Sequence, residues 1–433
     1  MPSHEELLNR LSTDSARKLL SRIYGEDMTL VGEQVLRYER LIAQHEKRFG
    51  PKAKDIRLFS APGRVEVGGN HTDHNHGRVL AAAINLDAIA VASPSADAGI
   101  TIFSEGYETP FIVDSSDLDR KDSEKGTSFA LMRGICRAFR ERGYDAGGFN
   151  ACITSDVTVG SGLSSSAAFE VLVATILNAF YNGSAIPPKE VALAGQYAEN
   201  HYFGKPSGLM DQMTSAVGGL VTIDFGKPTD PRVRKVDFSF DSCGYDVVVV
   251  NTGGSHADLT GHYTSVAEEM RQAARALGAE ALREVSPERL IASVKELRTK
   301  VGDRAVLRAL HFFADNERVI RQVEALEEND FQRFLSLVNE SGRSSWMLCQ
   351  NVYAPERPAE QPVSVALALT DEILAGRGAC RVHGGGFAGT ILAFVPHDLT
   401  AKYTTKMNEV FGPNAAKALR VRPCGAGEIF ASK

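Results

Sequence analysis

Three short segments concentrate residue types that can do chemistry. In VTVGSGLSSSAAFEVLVATIL, residues 157–177, glycines at 160 and 162 precede the hydroxyls of Ser164, Ser165 and Ser166 and a long apolar run. Glycine lets the backbone turn tightly and aim N–H groups at one spot, and the helix start that follows adds partial positive charge, so the turn can hold phosphate oxygens. The structural alternative is a serine-capped helix after a loop. No lysine stands where G-x-x-x-x-G-K-[ST] needs one, so this is not that P-loop.

The second segment, HGGGFAG at 383–389, formally matches G-x-G-x-x-G. A dinucleotide fingerprint needs a strand before it and a helix after it, whereas here the β-like run TILAFV comes after, and that reading is rejected. A tight turn between strands is one reading; close backbone approach to a nucleotide or sugar is the other. The third segment, APGRVEVGGNHTDHNHG at 61–77, packs Arg64, Asn70, His71, Asp73, His74 and His76 into one loop. Planar, directional donors and acceptors clustered in this way suit a sugar pocket. The same histidines with an aspartate between them could hold a transition metal, though no matching ligand cluster accompanies them, and solvated turn residues are the plain alternative.

These segments need elements to position them. Residues 1–50 read as a helical preface with Val35, Leu36, Leu41 and Ile42 as its apolar stripe, limited by Gly32 and Gly50. From Ile56 the texture becomes β-branched: RLFSAPGRVEV, VLAAAINLDAIAVAS and ITIFSEG predict strands. Helices are expected over 128–142, 167–181, from Pro187 and Pro188 to about 203, across most of 263–348, and over 366–374. Strands are expected over 148–155, 219–225 and 245–251 and at TILAFV. The Gly/Lys/Pro/Asp stretch after 225 marks a domain boundary, giving 1–225 and 226–433, and APERPAEQP at 354–362 reads as loop. Strands and helices mix without strict alternation, which predicts α+β architecture.

Composition excludes other classes. With 43% hydrophobic and 24% charged residues over 433 positions, the chain can bury a large core in two domains. A net charge of -6 without a long basic block argues against nucleic acid as a partner. The first residues lack a secretory pattern, and the greasiest stretch, 167–181, is broken by Glu170 and falls short of the roughly 18 to 20 residues that cross a bilayer. Six scattered cysteines without a C-x-x-C pair signal neither disulfide framework nor zinc site, so a cytoplasmic location is expected.

Taken together, GRVEVGGNHTDHNHG, GSGLSSSAAFE and VHGGGFAG resemble, in order and separation, the three signature segments of the GHMP small-molecule kinases, and most closely those of the galactokinase family. AENHYFGKPSGLMDQM at 198–213 and NTGGSHADLTGHYTSVAEEM at 251–270 are similar to two further segments of that family. The resemblance runs from about residue 57 to the end. It implies a two-domain α+β fold, with an N-terminal domain like ribosomal protein S5 domain 2, a ferredoxin-like C-terminal domain, and a tail, CGAGEIF, that returns as a strand beside the first domain. It implies ATP and Mg2+, a small-molecule sugar partner, no membrane partner, a monomer, and transfer of phosphate to the anomeric O1 of galactose.

Residue by residue, the resemblance implies Asp211 as the catalytic base or orienting group, with Arg64 stabilising charge beside it. Gly160, Ser161, Gly162, Leu163, Ser164, Ser165 and Ser166 would cradle the triphosphate, and Ser166 and Glu199 would bind magnesium, with the register inside the serine run left open. Arg64, Asn70, His71, Asp73, Gly208, Asp211 and Tyr263 would contact the sugar. The chain departs from the family pattern in having Asn70 where a glutamate contacts the sugar's O6, VEVGG in place of V-N-L-I-G, and Thr158 in place of a proline. Losing that negative charge would tolerate a carboxylate at C6, so a kinase for galacturonate stays open, as does a non-catalytic galactose sensor.

Overall fold

The computed structural model describes residues 2–431 apart from 159, 161, 206 and 254–258. Ser161 of the glycine-serine turn therefore lies outside the described residues. Three helices open the chain, His4–Leu11, Asp14–Tyr24 and Met28–Phe49, each started by a side-chain cap from Ser3, Thr13 or Asp27. They bury Leu7, Leu20, Val31, Tyr38, Leu41 and Ile42 against Leu58, Ile89 and Val91 of the neighbouring sheet. Leu36, expected in that stripe, is exposed. At 3.6 residues per turn it sits on the face opposite Tyr38 and Ile42.

Among the described residues the strands form two sheets. The first contains β1 (Arg57–Gly68), β2 (Arg78–Pro94), β3 (Gly99–Ser104), β4 (Phe111–Asp114), β5 (Phe149–Ser155), β6 (Leu220–Asp224) and β7 (Arg232–Val236). The second contains β8 (Tyr245–Asn251), β9 (Ala379–His383), β10 (Thr390–Pro396) and β11 (Ala416–Leu419). A last short strand, β12 (Gly427–Glu428), returns to the first sheet and pairs with β1 at Phe59 and Ser60.

The first sheet runs β12-β1-β2-β5-β3-β4, with β6 and β7 branching from the start of β2; only the β3–β5 pair is parallel. Helices Ser128–Glu141, Ser165–Tyr181, Pro188–Ala198 and Met210–Val217 bring Leu131, Leu172, Val191 and Met213 into the same core as Val65, Ala90 and Ile153 of the sheet. The second sheet runs β11-β8-β10-β9, antiparallel throughout, and Val363, Leu367 and Tyr403 from helices Pro362–Leu374 and His397–Phe411 pack on it. Mixed and antiparallel sheets with helices packed against them make an α+β protein, as the texture of the sequence predicts.

Strands β4, β7, β9 and β11 escape a reading of hydrophobic pattern; β9, ACRVH, and β11, AKAL, are only five and four residues long. β7, RVRKV, follows the stretch marked as a boundary and pairs with β6, so the first sheet continues past residue 225. Its charges suit an exposed edge and hide the strand signal. β4 is only four residues long. The helix expected from 366 begins at Pro362, because the proline that ends the preceding loop occupies the first helical turn, where its missing N–H costs nothing.

A buried polar cluster ties distant segments together. Asp87 on β2 accepts from Arg37 Nη1 at 2.6 Å, from Tyr24 O–H at 2.6 Å and from Arg422 Nη1 at 3.1 Å. The helical preface, the central strand and the C-terminal tail thus meet on one carboxylate.

Candidate active site

The centre of the site is a fork. Arg64, on β1, donates from Nε to Asp211 Oδ1 and from Nη2 to Asp211 Oδ2, both at 2.7 Å. Two register shifts interrupt the β1–β2 ladder, between Pro62 and Arg64 and between Glu66 and Gly68, and irregularities of this kind re-aim side chains next to functional sites. Asp211 stands in the first turn of helix Met210–Val217. A planar guanidinium meeting a carboxylate with two parallel bonds fixes both groups in position and angle.

The third arm of Arg64, Nη1, donates to the Gly162 carbonyl at 2.6 Å, and the Ser164 hydroxyl donates to Asp211 Oδ2. The glycine-serine turn and Asp211 therefore share one arginine. Burial works to raise the Asp211 carboxyl, but the charge of Arg64 and the hydrogen bonds from Arg64 and Ser164 outweigh it and hold the group below its ordinary value.

The turn itself departs from a capped helix. Ser164 precedes helix Ser165–Tyr181 with φ of +64°, and its side chain makes no capping bond. Gly160 and Gly162 also have positive φ, 78° and 73°. The serine expected as a possible cap instead points to Asp211, which leaves the helix N-terminus open toward an anion.

Ser166 Oγ lies 3.5 Å from Glu199 Oε1. Glu199 heads a π-helical turn, Glu199–Phe203, that ends helix Pro188–Ala198, and such turns concentrate at functional sites. The two oxygens are hard ligands, and their separation approaches the roughly 2.9 Å between neighbouring corners of an octahedron of 2.0–2.1 Å bonds, so they fit Mg2+. The Lys205 ammonium sits 3.0 Å from the same Glu199 oxygen, a positive charge where a cation would lie. Gln212 donates from Nε2 to Glu199 Oε2 and to Glu170 Oε2, each at 2.9 Å. Burial, and then the neighbouring Glu199, push the Glu170 carboxyl well above the carboxylate range.

The loop after β1 supplies the other wall. Asn70, His71 and Tyr263 donate to three successive carbonyls of the glycine turn, those of Gly384 at 2.8 Å, Gly385 at 2.9 Å and Gly386 at 3.1 Å. Burial depresses the His71 imidazole to about 3, so the ring is neutral, and burial lifts the Tyr263 phenol to about 12. Gly208 lies so close to Asp73 that an added Cβ would stand 1.8 Å from Oδ2. HGGGFAG is a turn between strands β9 and β10, packed closely by the Tyr263 ring at Gly385 and the Asn351 backbone at Gly386.

Asn70 departs from the expected sugar contact. It is fully buried, and its amide donates to Glu66 Oε1 at 2.9 Å as well as to Gly384, while its oxygen accepts from Asn351 Nδ2 at 2.8 Å and Ser345 Oγ at 3.1 Å. An asparagine amide has two donors and two lone pairs, so none is left for a ligand. Glu66, in turn, accepts from Arg381 Nη2 at 2.5 Å, so the carboxylate that the family pattern carries at position 70 has a counterpart four residues earlier, neutralised in the core.

Sequence reasoning missed Glu66, Glu170, Lys205, Gln212 and Arg381. All stand in or beside the motif segments, but only tertiary contact distinguishes them from their neighbours. Among the described residues no group of three or more His, Cys, Asp or Glu is placed to hold a metal, and no helix is long and apolar enough to cross a membrane.

Comparison with known proteins identifies relatives of the chain. The galactokinase galactose-binding signature matches residues 43–94, and the N-terminal domain of the GHMP kinases matches residues 130–219. The chain is 34% identical to a galactokinase of Glaesserella parasuis over 82% of its own length and 88% of the relative's, and 33% identical to one of Actinobacillus pleuropneumoniae over 78% and 84%. A crystal structure of Lactococcus lactis galactokinase complexed with galactose superposes with a TM-score of 0.77 at 24% identity, covering 89% of this chain and 98% of that one. The mevalonate kinase of Methanococcus jannaschii shares the fold at a TM-score of 0.60 and 15% identity, covering 85% and 99%.

Proposed function

The chain belongs to the galactokinase family of GHMP kinases and is a sugar kinase with ATP as co-substrate; from that premise we propose that it phosphorylates the anomeric O1 of galactose, with Asp211 orienting the hydroxyl and Arg64 stabilising charge. The observation that carries this reading is the Arg64 fork, which joins Asp211 to the carbonyl of the glycine-serine turn.

The sugar's O1 attacks the terminal phosphorus as the bond to the bridging oxygen breaks and ADP departs. The O1 proton passes to Asp211 and from there to solvent. Phosphoryl transfer has a loose transition state in which the attacking oxygen needs little charge before the phosphorus is nearly free. A carboxylate held below its ordinary pKa is a weak base, and it suits this chemistry because it holds the hydroxyl in line and takes the proton late. Gly160–Ser166 cradle the triphosphate with backbone N–H groups and hydroxyls, and Arg64 meets the charge that develops on the transferred group. Ser166 and Glu199 would hold Mg2+, which neutralises phosphate charge when bound. Asp73, His71, Tyr263 and the Gly208 backbone line the sugar side, and Asp73 can accept from two neighbouring hydroxyls and so read the axial and equatorial pair that separates galactose from glucose. Asn70 frames that pocket through the glycine turn.

An ADP-release assay with galactose, galacturonate, galactosamine and glucose, each with and without magnesium, tests the proposal. Galactose with magnesium is expected to give the fastest turnover, and faster release with galacturonate would replace the substrate. Asp211→Asn is expected to lower kcat by at least about 10²-fold while galactose binding stays measurable. An undiminished rate would remove Asp211 from its role.

A further inference from the structure

His383 ends β9, and its ring is held by one nitrogen only. Nε2 lies 2.9 Å from the backbone N–H of Glu66. An amide N–H can only donate, so Nε2 is the accepting nitrogen, the ring is neutral, and its proton is on Nδ1. Burial, and then the guanidiniums of Arg64 and Arg381, hold the imidazole well below its ordinary pKa, in keeping with that tautomer. The residue is 2% exposed, and Nδ1 has no hydrogen-bond partner among the described residues. Buried donors without a partner are rare in native proteins, and each calls for an explanation.

The orphan N–H sits at the phosphate turn. A Cβ added to Gly162 would stand 3.4 Å from His383 Nδ1 and 2.8 Å from Thr390 Oγ1. The carbonyl of the same glycine receives the third arm of Arg64, whose other two arms hold Asp211. The donor therefore faces the backbone of the glycine-serine turn at Gly162, the residue whose carbonyl the Arg64–Asp211 pair holds, while Asn70, His71 and Tyr263 sit on the three carbonyls that follow His383 in the chain.

We propose that His383 is a further catalytic residue of this kinase, donating a hydrogen bond from Nδ1 to an oxygen of the phosphoryl group in transfer. The proposal rests on the kinase reading above. A phosphoryl oxygen is an anionic acceptor, the partner a fixed N–H lacks, and a neutral imidazole supplies the bond without a proton changing hands. As negative charge spreads over the equatorial oxygens the bond strengthens, so the contact favours the transition state. Arg64 and His383 then approach the migrating group from adjacent strands of different sheets.

The test compares the wild type with His383→Ala and His383→Asn, whose amide nitrogen can stand about where Nδ1 sits. Measured quantities are kcat, KM for ATP and for galactose, and calorimetric affinities for galactose, ADP and a non-hydrolysable ATP analogue with magnesium. Hydrogen bonds to charged groups correspond to roughly 10- to 100-fold. His383→Ala is therefore expected to lose about that much in kcat/KM for ATP and to weaken the triphosphate analogue relative to ADP, while galactose affinity stays within about twofold. His383→Asn should recover most of the loss.

An alanine variant within about twofold of wild type in kcat/KM and in the analogue-to-ADP ratio would overturn the proposal, as would a loss confined to galactose affinity. Should the alanine variant not fold, the His383 Nδ1 resonance of the wild type decides: it must shift when the triphosphate analogue is added, and an unmoved resonance sinks the idea. A folded wild type that consumes no ATP with any of the four sugars would overturn the kinase reading itself and the proposal with it.

Discussion

Arg64 sets the state of Asp211, and pH reports it. The folded carboxyl titrates below its ordinary value near 3.9, so the stabilisation from this pair is present above that pH and is lost as pH falls through the lower folded value. The proposed base is ionised throughout the neutral range, and kcat/KM of the wild type is expected to show no limb from Asp211 down to about pH 5. In Arg64→Met the largest opposing influence is gone and burial pushes the carboxyl upward. The acid limb should then move to higher pH, alongside a lower kcat, and a pH–rate profile of the two proteins checks both. A limb that stays in place would mean that Arg64 does not govern the ionisation of Asp211.

Two turns divide the work at the level of elements, and a single methyl group tests each. At Gly162 an alanine would need φ near +73° and would crowd Thr390 Oγ1 at 2.8 Å, strain of about 1–2 kcal/mol from the backbone alone. At Gly208 the added Cβ would meet Asp73 Oδ2 at 1.8 Å and must displace that carboxylate. Gly162→Ala is expected to raise KM for ATP about tenfold or more with little change for galactose. Gly208→Ala should do the reverse, and steady-state kinetics with each substrate varied separates the two. The π-helical turn at Glu199–Phe203 belongs to the same scale, because it breaks the regular helix where Glu199 must face Ser166 and Gln212.

For the molecule as a whole, Asp87 is the junction between the helical preface, the first sheet and the returning tail. Arg37 and Arg422, 6% and 1% exposed, both pair with it, and Arg37 also pairs with Asp156 at 3.0 Å. Asp87→Ala leaves two buried guanidiniums without their shared counter-charge, a loss of roughly 3–5 kcal/mol. Urea unfolding should show the midpoint falling, while KM values of the folded fraction stay near wild type because the cluster does not touch the candidate site. A midpoint shift corresponding to less than about 1 kcal/mol would show that the junction is dispensable.

Local chemistry and periodicity by themselves determined the α+β class, the long strands such as VLAAAINLDAIAVAS, the helix over 167–181 and the three motif segments, since these depend on neighbours along the chain. The edge strand RVRKV was hidden because its charges mask the alternation, and the helix at Pro362 because its first residue is also a loop residue. Only the tertiary structure decided what each motif residue faces. Asn70 reads as a ligand group beside two histidines, yet Glu66, Gly384, Ser345 and Asn351 use all of its hydrogen-bonding capacity. His383 reads as the edge of a glycine turn, yet its second nitrogen is buried beside Gly162 without a hydrogen-bond partner among the described residues. Hydrogen-bond saturation is a property of partners drawn from distant parts of the chain, and no spacing within one segment encodes it.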